Sequence, residues 1–348
     1  MQHQMTKSPS THHGSKASPA ELSSFEILGK SIPYVRLITS PTPLQRGRYG
    51  NFEFMIKRED LTDCHVYGGN KVRNLEFILA KALIDKKTAI ATPIPMGSNF
   101  SAAFAGHSKR LGLTPMLCQV NLADHPQIYD HLQFCEKQFA KITTRTGVLK
   151  FPMQLADLIR ARIKDKAFIV PPGGSNALGV VGHLKAFMEL ANSIRAGDIE
   201  CPEYIFVGAG TGGTTAGLIA GITVTGLPIK IVAVRCAEKI ICNKTRILHL
   251  ANEALKYLGS DKISHSGQME LIECPGNPRY GEPIANFRHV FKTFHDENGL
   301  ELDRTYTSKV VTAMISRMGI ALNPPTNVLY WHTFSAMASQ ELQRMVLS

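Results

Sequence analysis

The sequence has few of the features that mark a membrane, secreted or metal-binding protein. No apolar run approaches the roughly 20 residues that cross a bilayer, and the first residues do not follow the charged and then apolar order of a secretory signal. The seven cysteines contain no C-x-x-C pair, so neither a disulfide framework nor a zinc site is expected. We therefore predict a cytoplasmic protein without a metal centre.

The chain also lacks a basic block, although its formal net charge is +11. Its Lys and Arg residues are spread along the sequence without the clustering or aromatic interleaving typical of nucleic-acid binding. We expect the charge to lie on a solvated surface, where it can attract an anionic cofactor and carboxylate substrates. Neither a nucleic acid nor a membrane is expected as a partner.

The pattern of apolar residues indicates an α/β protein. At 348 residues the chain exceeds the roughly 250 to 300 residues at which single cores stop growing, so two lobes are expected. Residues 1–24 are polar and predict a disordered tail. Beyond them, short apolar runs alternate with helical periodicity, which favours parallel sheets covered by helices. The predicted strands are 34–38, 52–58, 89–94, 115–120, 168–170, 204–207, 229–234 and 328–332, and the predicted helices are 71–84, 98–111, 128–141, 175–191 and 214–222.

One stretch, residues 67–76, places a lysine at the start of a predicted helix. From Lys71 onward, apolar residues recur at three- and four-residue spacing, so one face of this helix packs inward. A cation is unusual there, because the start of a helix is partly positive. A buried lysine beside positive charge loses its proton more readily, which suits an amine that attacks an aldehyde. Without support from other motifs, an ordinary surface lysine would be the better interpretation.

That support comes from a resemblance. Residues 68–73, Gly-Gly-Asn-Lys-Val-Arg, resemble the cofactor-lysine motif of the pyridoxal-phosphate enzymes related to D-cysteine desulfhydrase and 1-aminocyclopropane-1-carboxylate deaminase, which have the tryptophan-synthase-β-like fold of fold type II. The resemblance implies two lobes, each an open and mostly parallel sheet flanked by helices, with pyridoxal 5'-phosphate in the cleft between them. It implies that Lys71 forms a Schiff base with the cofactor and that Asn70 bonds its ring hydroxyl.

The same resemblance implies a division into domains. A large cofactor-binding domain would comprise residues 25–72 and 175–348, and a small domain would comprise residues 73–174. It also implies a homodimer.

A second motif, residues 207–215, runs from a strand end through a glycine-rich turn into a helix. Backbone N–H groups in such a turn point inward around an anion and the helix start adds its dipole, so a phosphate fits. Gly208, Gly210 and Gly213 also match G-x-G-x-x-G, and Glu238 follows the next strand, so an NAD(P)-dependent oxidoreductase is an alternative that leaves the lysine motif unexplained. The motif also resembles the phosphate loop of the pyridoxal-phosphate family. That resemblance implies a phosphate cup of these residues: Gly210, Thr211, Gly212, Gly213 and Thr214.

Four further segments carry candidate site residues. Ser98 follows a strand end in an N-cap position, and a cap alone would explain it. With Asn99 it also resembles the family's substrate-carboxylate pocket, in which the serine assists at the reacting carbons. Tyr280 and Tyr306 resemble the phenols that orient the substrate or pass protons, although each unaided would be a core residue. Thr333 resembles the threonine that approaches the pyridine nitrogen.

Differences from the family bear on the reaction. In the deaminase branch an acid follows the second tyrosine, whereas Thr307 stands there in this sequence. A hydroxyl supports the ring as an electron sink less than a carboxylate does, which favours β-elimination from a small amino acid over cyclopropane opening. The resemblance thus implies a D-cysteine desulfhydrase-like lyase that yields a 2-keto acid and ammonia. The alternative is a 1-aminocyclopropane-1-carboxylate deaminase.

Two other differences concern the pocket. Phe100 stands where relatives carry a polar residue, and Phe334-Ser335 stands in place of paired glycines. Bulky apolar groups there would reshape the pocket, so a hydrophobic amino-acid substrate is compatible with the sequence. A protein that binds the cofactor without turnover is a further interpretation.

Overall fold

The computed structural model describes residues 22–38, 41–62, 66–122, 126–147, 149–320 and 327–335. The strands are β1 (Leu22–Ile27), β2 (Lys30–Val35), β3 (Leu44–Tyr49), β4 (Phe52–Arg58), β5 (Ala89–Pro95), β6 (Thr114–Val120), β7 (Lys141–Arg145), β8 (Phe168–Ile169), β9 (Tyr204–Ala209), β10 (Lys230–Arg235), β11 (Met269–Glu273) and β12 (Val328–His332). The α-helices are α1 (Lys71–Ile84), α2 (Asn99–Arg110), α3 (Pro126–Lys137), α4 (Lys150–Lys164), α5 (Ala177–Ala196), α6 (Gly213–Thr225), α7 (Lys244–Tyr257), α8 (Phe287–Asn298) and α9 (Thr307–Ile320).

The larger sheet has the strand order β11-β10-β9-β12-β4-β3. Its strands run parallel except β3, which pairs antiparallel with β4 at one edge. Apolar residues of α5, α6 and α7 pack on one face, and those of α8 and α9 pack on the other. Because both faces are covered, the central strands are almost continuously apolar, as parallel strands usually are.

The smaller sheet has the order β7-β6-β5-β8 and is parallel throughout. Helices α1 and α2 pack against one side of it, and α4 packs against the other through a small cluster around Ala161. Two open, mostly parallel sheets flanked by helices were predicted, and this fold class is confirmed.

Helix α1 has its predicted bounds and is held tightly at its start. Its apolar stripe is fully buried, and it crosses α5 so closely that a Cβ on Gly182 would lie 1.9 Å from the carbonyl oxygen of Arg73. The buried guanidinium of Arg73 pairs with Glu59 at 2.8 Å, beyond the end of β4, and donates to Glu189 of α5 at 2.9 Å. These ion pairs fix the helix start that carries Lys71.

Some predicted elements were wrong in place or extent. Residues 22–24, predicted to belong to the tail, form the first half of β1, because a hairpin with β2 gives this short alternating segment a partner. The rest of the predicted tail lies outside the described residues. Strand β2 ends at Val35, before most of the predicted 34–38 strand. The helix predicted over 128–141 ends at Lys137, because Phe139 has a left-handed φ of 54° and β7 begins at Lys141.

The two sheets direct strand ends toward one cleft. Pro95 ends β5 in the smaller sheet, and Ala209 and His332 end β9 and β12 in the larger one. Ligands of open parallel sheets bind beyond the carboxyl ends of the strands, so this cleft is the expected place for a site. Of the helices described, none has both the length and the apolarity that a bilayer crossing requires.

Candidate active site

A cavity of about 1230 Å³ occupies this cleft. Every residue that the sequence nominated for the site lines it, from six separated segments of the chain. These residues are Asn70, Lys71, Ser98, Asn99, Gly210, Thr211, Gly212, Gly213, Thr214, Tyr280, Tyr306 and Thr333.

The lysine and the glycine-rich turn meet in space. Asn70, the residue before Lys71, donates its side-chain amide to Thr214 Oγ1 at 2.8 Å, although 144 residues separate the two. Burial lowers the pKa of Lys71 to about 8, so a substantial fraction of its amine is uncharged near neutral pH. Burial, followed by the charge of Lys71, holds the pKa of His183 well below its usual range, and His183 Nε2 lies 3.3 Å from Thr214 Oγ1. An amine that loses its proton more readily than an ordinary lysine therefore sits beside an anion-binding turn.

The turn itself has the shape of a phosphate cup. Gly212 has a φ of 90°, which favours glycine, and Gly213 opens α6 with its free N–H groups. A Cβ on Gly213 would lie 2.6 Å from Ser175 Oγ, so only a glycine lets this loop approach the turn. Ser175 Oγ is in turn 2.6 Å from Thr211 Oγ1. Hydroxyls, backbone N–H groups and a helix start converge here, and this donor set fits a phosphate.

Ser98 and Asn99 form a second helix start that faces the same cavity. Ser98 Oγ accepts a hydrogen bond from the Phe100 N–H at 3.2 Å and so caps α2. Asn99 Oδ1 accepts one from the Tyr67 hydroxyl at 3.4 Å, and that hydroxyl lies 2.9 Å from His131 Nε2. A carboxylate at this end of the cavity would meet backbone N–H groups and an amide.

The two predicted tyrosines stand together on the opposite wall. Their rings are 6.1 Å apart at 79°, and the Tyr280 hydroxyl interacts with both Tyr306 and Ser98. Burial raises the pKa of each phenol, and the proximity of Tyr280 adds to this for Tyr306, so both are protonated at neutral pH. Tyr306 lies over Gly210, where a Cβ would be 3.0 Å from its ring. The two phenols and Ser98 therefore line the same cavity.

The segment that carries Tyr280 is held by a buried lysine. Lys309 Nζ, on α9, donates to the carbonyl oxygens of Pro278 at 3.1 Å and Arg279 at 2.7 Å. Its side chain is inaccessible to solvent, and burial lowers its pKa. Lys309 therefore ties Tyr280 to the helix that begins beside Tyr306.

Comparison with known proteins decides which cofactor this arrangement serves. The family of pyridoxal-phosphate dependent enzymes matches residues 35–329. The chain belongs to this family. Pyridoxal phosphate is accordingly its cofactor, and the cup, the hydroxyls and the low-pKa amine of Lys71 fit the phosphate and aldehyde of that molecule. The dinucleotide alternative for the glycine-rich turn loses its support, because a single family accounts for both motifs.

Individual relatives agree with this assignment. The chain is 28% identical to a putative 1-aminocyclopropane-1-carboxylate deaminase of Thermotoga maritima, over 86% of its own length and 95% of the relative. It is 27% identical to a D-cysteine desulfhydrase of Serratia proteamaculans, over 88% and 94% of the two chains. A crystal structure of an ACC deaminase homologue shares the fold with a TM-score of 0.75 at 24% identity, covering 91% of this chain and 96% of that one.

One prediction about this pyridoxal-phosphate enzyme was wrong in its geometry. Thr307 is fully buried and does not line the cavity; its Oγ1 donates to Asp303 Oδ2 at 2.9 Å and accepts from the Asp303 N–H at 2.6 Å. Asp303 itself lines the cavity, and its Oδ1 accepts from the Tyr306 N–H at 2.6 Å. The sequence comparison considered only the residue after Tyr306, and the fold brings a carboxylate from three residues before it.

The segment after β12 contains Thr333 and the Phe334-Ser335 pair that was expected to reshape the pocket. Thr333 reaches the cavity, whereas Phe334 is buried with its carbonyl oxygen 3.1 Å from the place of a Cβ on Gly69. His332 is buried and its Nδ1 lies 2.9 Å from the Tyr330 hydroxyl, a structural role that agrees with its position in a strand. Phe334 thus packs against the entry to α1, outside the cavity lining.

Sequence reasoning missed several residues that support the site. His183, Ser175 and Lys309 each contact a predicted site residue or its segment across more than 30 positions of sequence. The sequence signal nearest to Ser175 is the Pro-Pro-Gly-Gly turn of residues 171–174, which directly precedes it. His183 lies within a helical segment and carries no motif of its own, whereas Lys309 ends a Tyr-x-x-Lys segment of which only the tyrosine was nominated.

Proposed function

We propose that this enzyme is a lyase that eliminates a β-substituent from a small amino acid, in the manner of D-cysteine desulfhydrase, to give a 2-keto acid and ammonia. The observation that carries the proposal is the 2.8 Å bond between Asn70 and Thr214, because it sets the Lys71 amine beside the phosphate cup. Relatives named D-cysteine desulfhydrase, and neighbouring folds described as hydrogen sulfide-producing enzymes of Fusobacterium nucleatum, support elimination.

The chain's own residues divide the work. Pyridoxal phosphate, bound at Lys71, supplies an electron sink for the pair released when a Cα–H bond breaks. Lys71 is the base that takes the Cα proton, because its lowered pKa leaves it able to accept one at neutral pH. Ser98 and Asn99 hold the substrate carboxylate at the start of α2, which fixes the Cα–H bond relative to Lys71.

The remaining residues serve proton transfer to the departing group and binding of the cofactor. The hydroxyls of Tyr306, Tyr280 and Ser98, which line the same cavity, provide the path along which a proton reaches the departing group. Gly210 to Thr214 would hold the phosphate of the bound cofactor, Asn70 would bond its ring hydroxyl and Thr333 would lie beside its ring nitrogen. Water then converts the enamine product to the keto acid and ammonia.

A second reaction has an observation of its own in its favour. Asp303 lines the cavity and so weakens the argument that Thr307 leaves the site without an acid, although its carboxylate oxygens accept hydrogen bonds from the Tyr306 and Thr307 N–H groups. Together with the relative named putative 1-aminocyclopropane-1-carboxylate deaminase, it keeps ring opening as the alternative. We also retain the homodimer, the two domains and the cytoplasmic location as predictions, the first of which sedimentation would test.

The decisive experiment is chemical. The purified protein should be yellow, and borohydride reduction should fix the cofactor's mass on the peptide that contains Lys71. Lys71→Ala should lose this label, whereas Lys81→Ala, an exposed lysine on the same helix, should keep it. A colourless protein that takes up no pyridoxal phosphate would contradict the proposal.

The products then separate the two reactions. D-cysteine and L-cysteine should give pyruvate and sulfide, and the preferred enantiomer gives the substrate's chirality. Formation of 2-oxobutyrate from 1-aminocyclopropane-1-carboxylate, with no sulfide from either cysteine, would replace elimination by ring opening.

A further inference from the structure

The outer part of the active-site cavity is lined by large apolar side chains that are open to solvent. Ile240 is 86% exposed and Ile241 42% exposed, in the turn between β10 and α7. From the other lobe, Phe151 and Leu122 are 57% and 42% exposed. The inner part, in contrast, is lined by the lysine, hydroxyls, amides and backbone N–H groups already described.

Such side chains contribute little to folding where they stand. An isoleucine that is almost fully exposed forgoes most of the stabilisation that its burial would provide. Clustered apolar residues in a concave, polar-rimmed place are typical of a ligand-binding surface. The four residues come from both lobes and border a single cavity. A ligand that contacts all four must therefore lie in that cavity.

The substrate's other groups are already placed, and this decides which part of it reaches the outer cavity. The amine is directed to Lys71 and the carboxylate to the start of α2, so the β-substituent is the part left to extend outward. Drug-sized ligands fill pockets of roughly 300 to 1,000 Å³. A cavity of about 1230 Å³ therefore has room beyond the cofactor and a substrate as small as cysteine.

We propose that the preferred substrates are amino acids with a bulky apolar β-substituent attached through sulfur, such as S-aryl or S-alkyl cysteines. This rests on the lyase function proposed above and specifies its substrate class. The Cα–H and Cβ–S bonds break, the thiol departs with a proton, and water hydrolyses the enamine to pyruvate and ammonia. No external oxidant or reductant takes part, because the two electrons of the Cα–H bond form the new double bond.

The rim of the cavity also carries charged side chains, so an anionic β-substituent is the alternative to an apolar one. Arg246, Arg279 and Arg304 line the cavity and would attract an anionic β-substituent, but Glu238 and Glu282 border it as well. The two glutamates offset most of this positive charge and so weaken its attraction for an anion. No residue at the rim weakens the attraction of the apolar surface for an apolar group in the same way. A phosphorylated substrate is therefore the outcome to compare against.

The test compares three β-substituents in three proteins. The substrates are cysteine, S-benzylcysteine and O-phosphoserine, each as both enantiomers, with pyruvate release as the assay. Ile240→Ser removes an apolar group from the outer cavity, and Ile263→Ser makes the same change at an isoleucine that is 72% exposed and does not border this cavity. We expect kcat/KM for S-benzylcysteine to exceed that for cysteine and to fall about tenfold in Ile240→Ser alone, while that for cysteine stays unchanged.

A binding measurement decides the inference independently of turnover. Phenylalanine has an apolar β-substituent that cannot leave, and alanine has none, so calorimetry should show about tenfold tighter binding of phenylalanine, lost in Ile240→Ser. If phenylalanine binds no better than alanine, or if O-phosphoserine is preferred, the inference fails even when cysteine is converted. If no cofactor binds at Lys71, the lyase proposal itself fails.

Discussion

Lys309 offers a way to disturb Tyr280 without touching the cavity. Its buried ammonium group is bonded to the carbonyl oxygens of two residues that directly precede Tyr280. Lys309→Met keeps much of the side-chain volume but removes both hydrogen bonds. We expect the segment around Tyr280 to shift and the hydroxyl path to Ser98 to break.

The size of the effect follows from these contacts. A hydrogen bond from a charged donor contributes about 1.5–3 kcal/mol, so two would suggest a loss of several kcal/mol. Arg279 is exposed and Pro278 half-buried, so water can replace part of what is lost, and the variant no longer buries an ammonium group. We therefore expect about 2 kcal/mol of destabilisation, which for a chain of this length lowers Tm by about 3 °C.

The effect on catalysis should be much larger than the effect on stability. A displacement of about 1 Å in a group that takes part in proton transfer can lower the rate about a hundredfold. The assay measures kcat and KM for pyruvate release over a range of pH, together with Tm. We expect kcat to fall and the limb of the pH profile that reports the proton donor to move, with KM changing little.

Lys262→Met is the matched control, because Lys262 also donates to a backbone carbonyl, that of Val224 at 3.1 Å, but at an exposed position far along the chain from the site. It should leave kcat, the pH profile and Tm close to those of the unmodified protein. A Lys309→Met variant with normal kcat and an unshifted pH profile would refute the positioning role, even if Tm fell as expected.

Three other predictions concern the groups around the cofactor. Burial opposes ionisation of Glu59, but the charge of Arg73 outweighs burial and lowers the pKa of Glu59 from 4.5 to about 2. This shift contributes roughly 3 kcal/mol to the free energy of unfolding above pH 4.5, and the contribution is lost as the pH falls toward 2. Urea unfolding at several acidic pH values should show this loss, and a Glu59→Gln variant with the same pH dependence would contradict it. Cofactor uptake by the apoprotein should accelerate with a midpoint near pH 8, the pKa of Lys71, and a midpoint near 10.5 would argue against a desolvated amine. Gly213→Ala brings a Cβ within 2.6 Å of the adjacent serine hydroxyl and should weaken pyridoxal-phosphate binding about tenfold in a fluorescence titration, whereas Gly319→Ala, with nothing within 4 Å, should not.

The sequence predicted the parts of the fold whose signals are local. The apolar spacing after Lys71 and the alternation in Phe52–Arg58 gave α1 and β4 their observed bounds. The helix over 128–141 was extended too far, because periodicity alone does not reveal that Phe139 turns to a left-handed conformation. Helices α4, α7, α8 and α9 were not predicted, although α4, α7 and α8 separate apolar and polar residues onto opposite faces, so their periodic signal is present in the sequence.

The site was predictable to the extent that it is built from motifs. Lys71 and the cup were recognised through their joint resemblance to one family, and the distance between them required the fold. Asp303 shows the limit of the method, because comparison of one position after Tyr306 overlooked a carboxylate that reaches the cavity from the preceding turn. The position of Asp303 depends on the backbone conformation just before α9 begins. A short sequence motif does not specify that conformation.

The place of β12 in the larger sheet has a consequence for biosynthesis. This strand lies between β9 and β4 and hydrogen-bonds to both, yet it is translated more than 100 residues after either. A nascent chain on the ribosome therefore holds two facing, unpaired strand edges until Val328–His332 emerges, and such edges invite aggregation. Thr333, which lines the cofactor site, directly follows β12. The pairing of β12 with β9 and β4 and the completion of that site therefore occur together, late in synthesis.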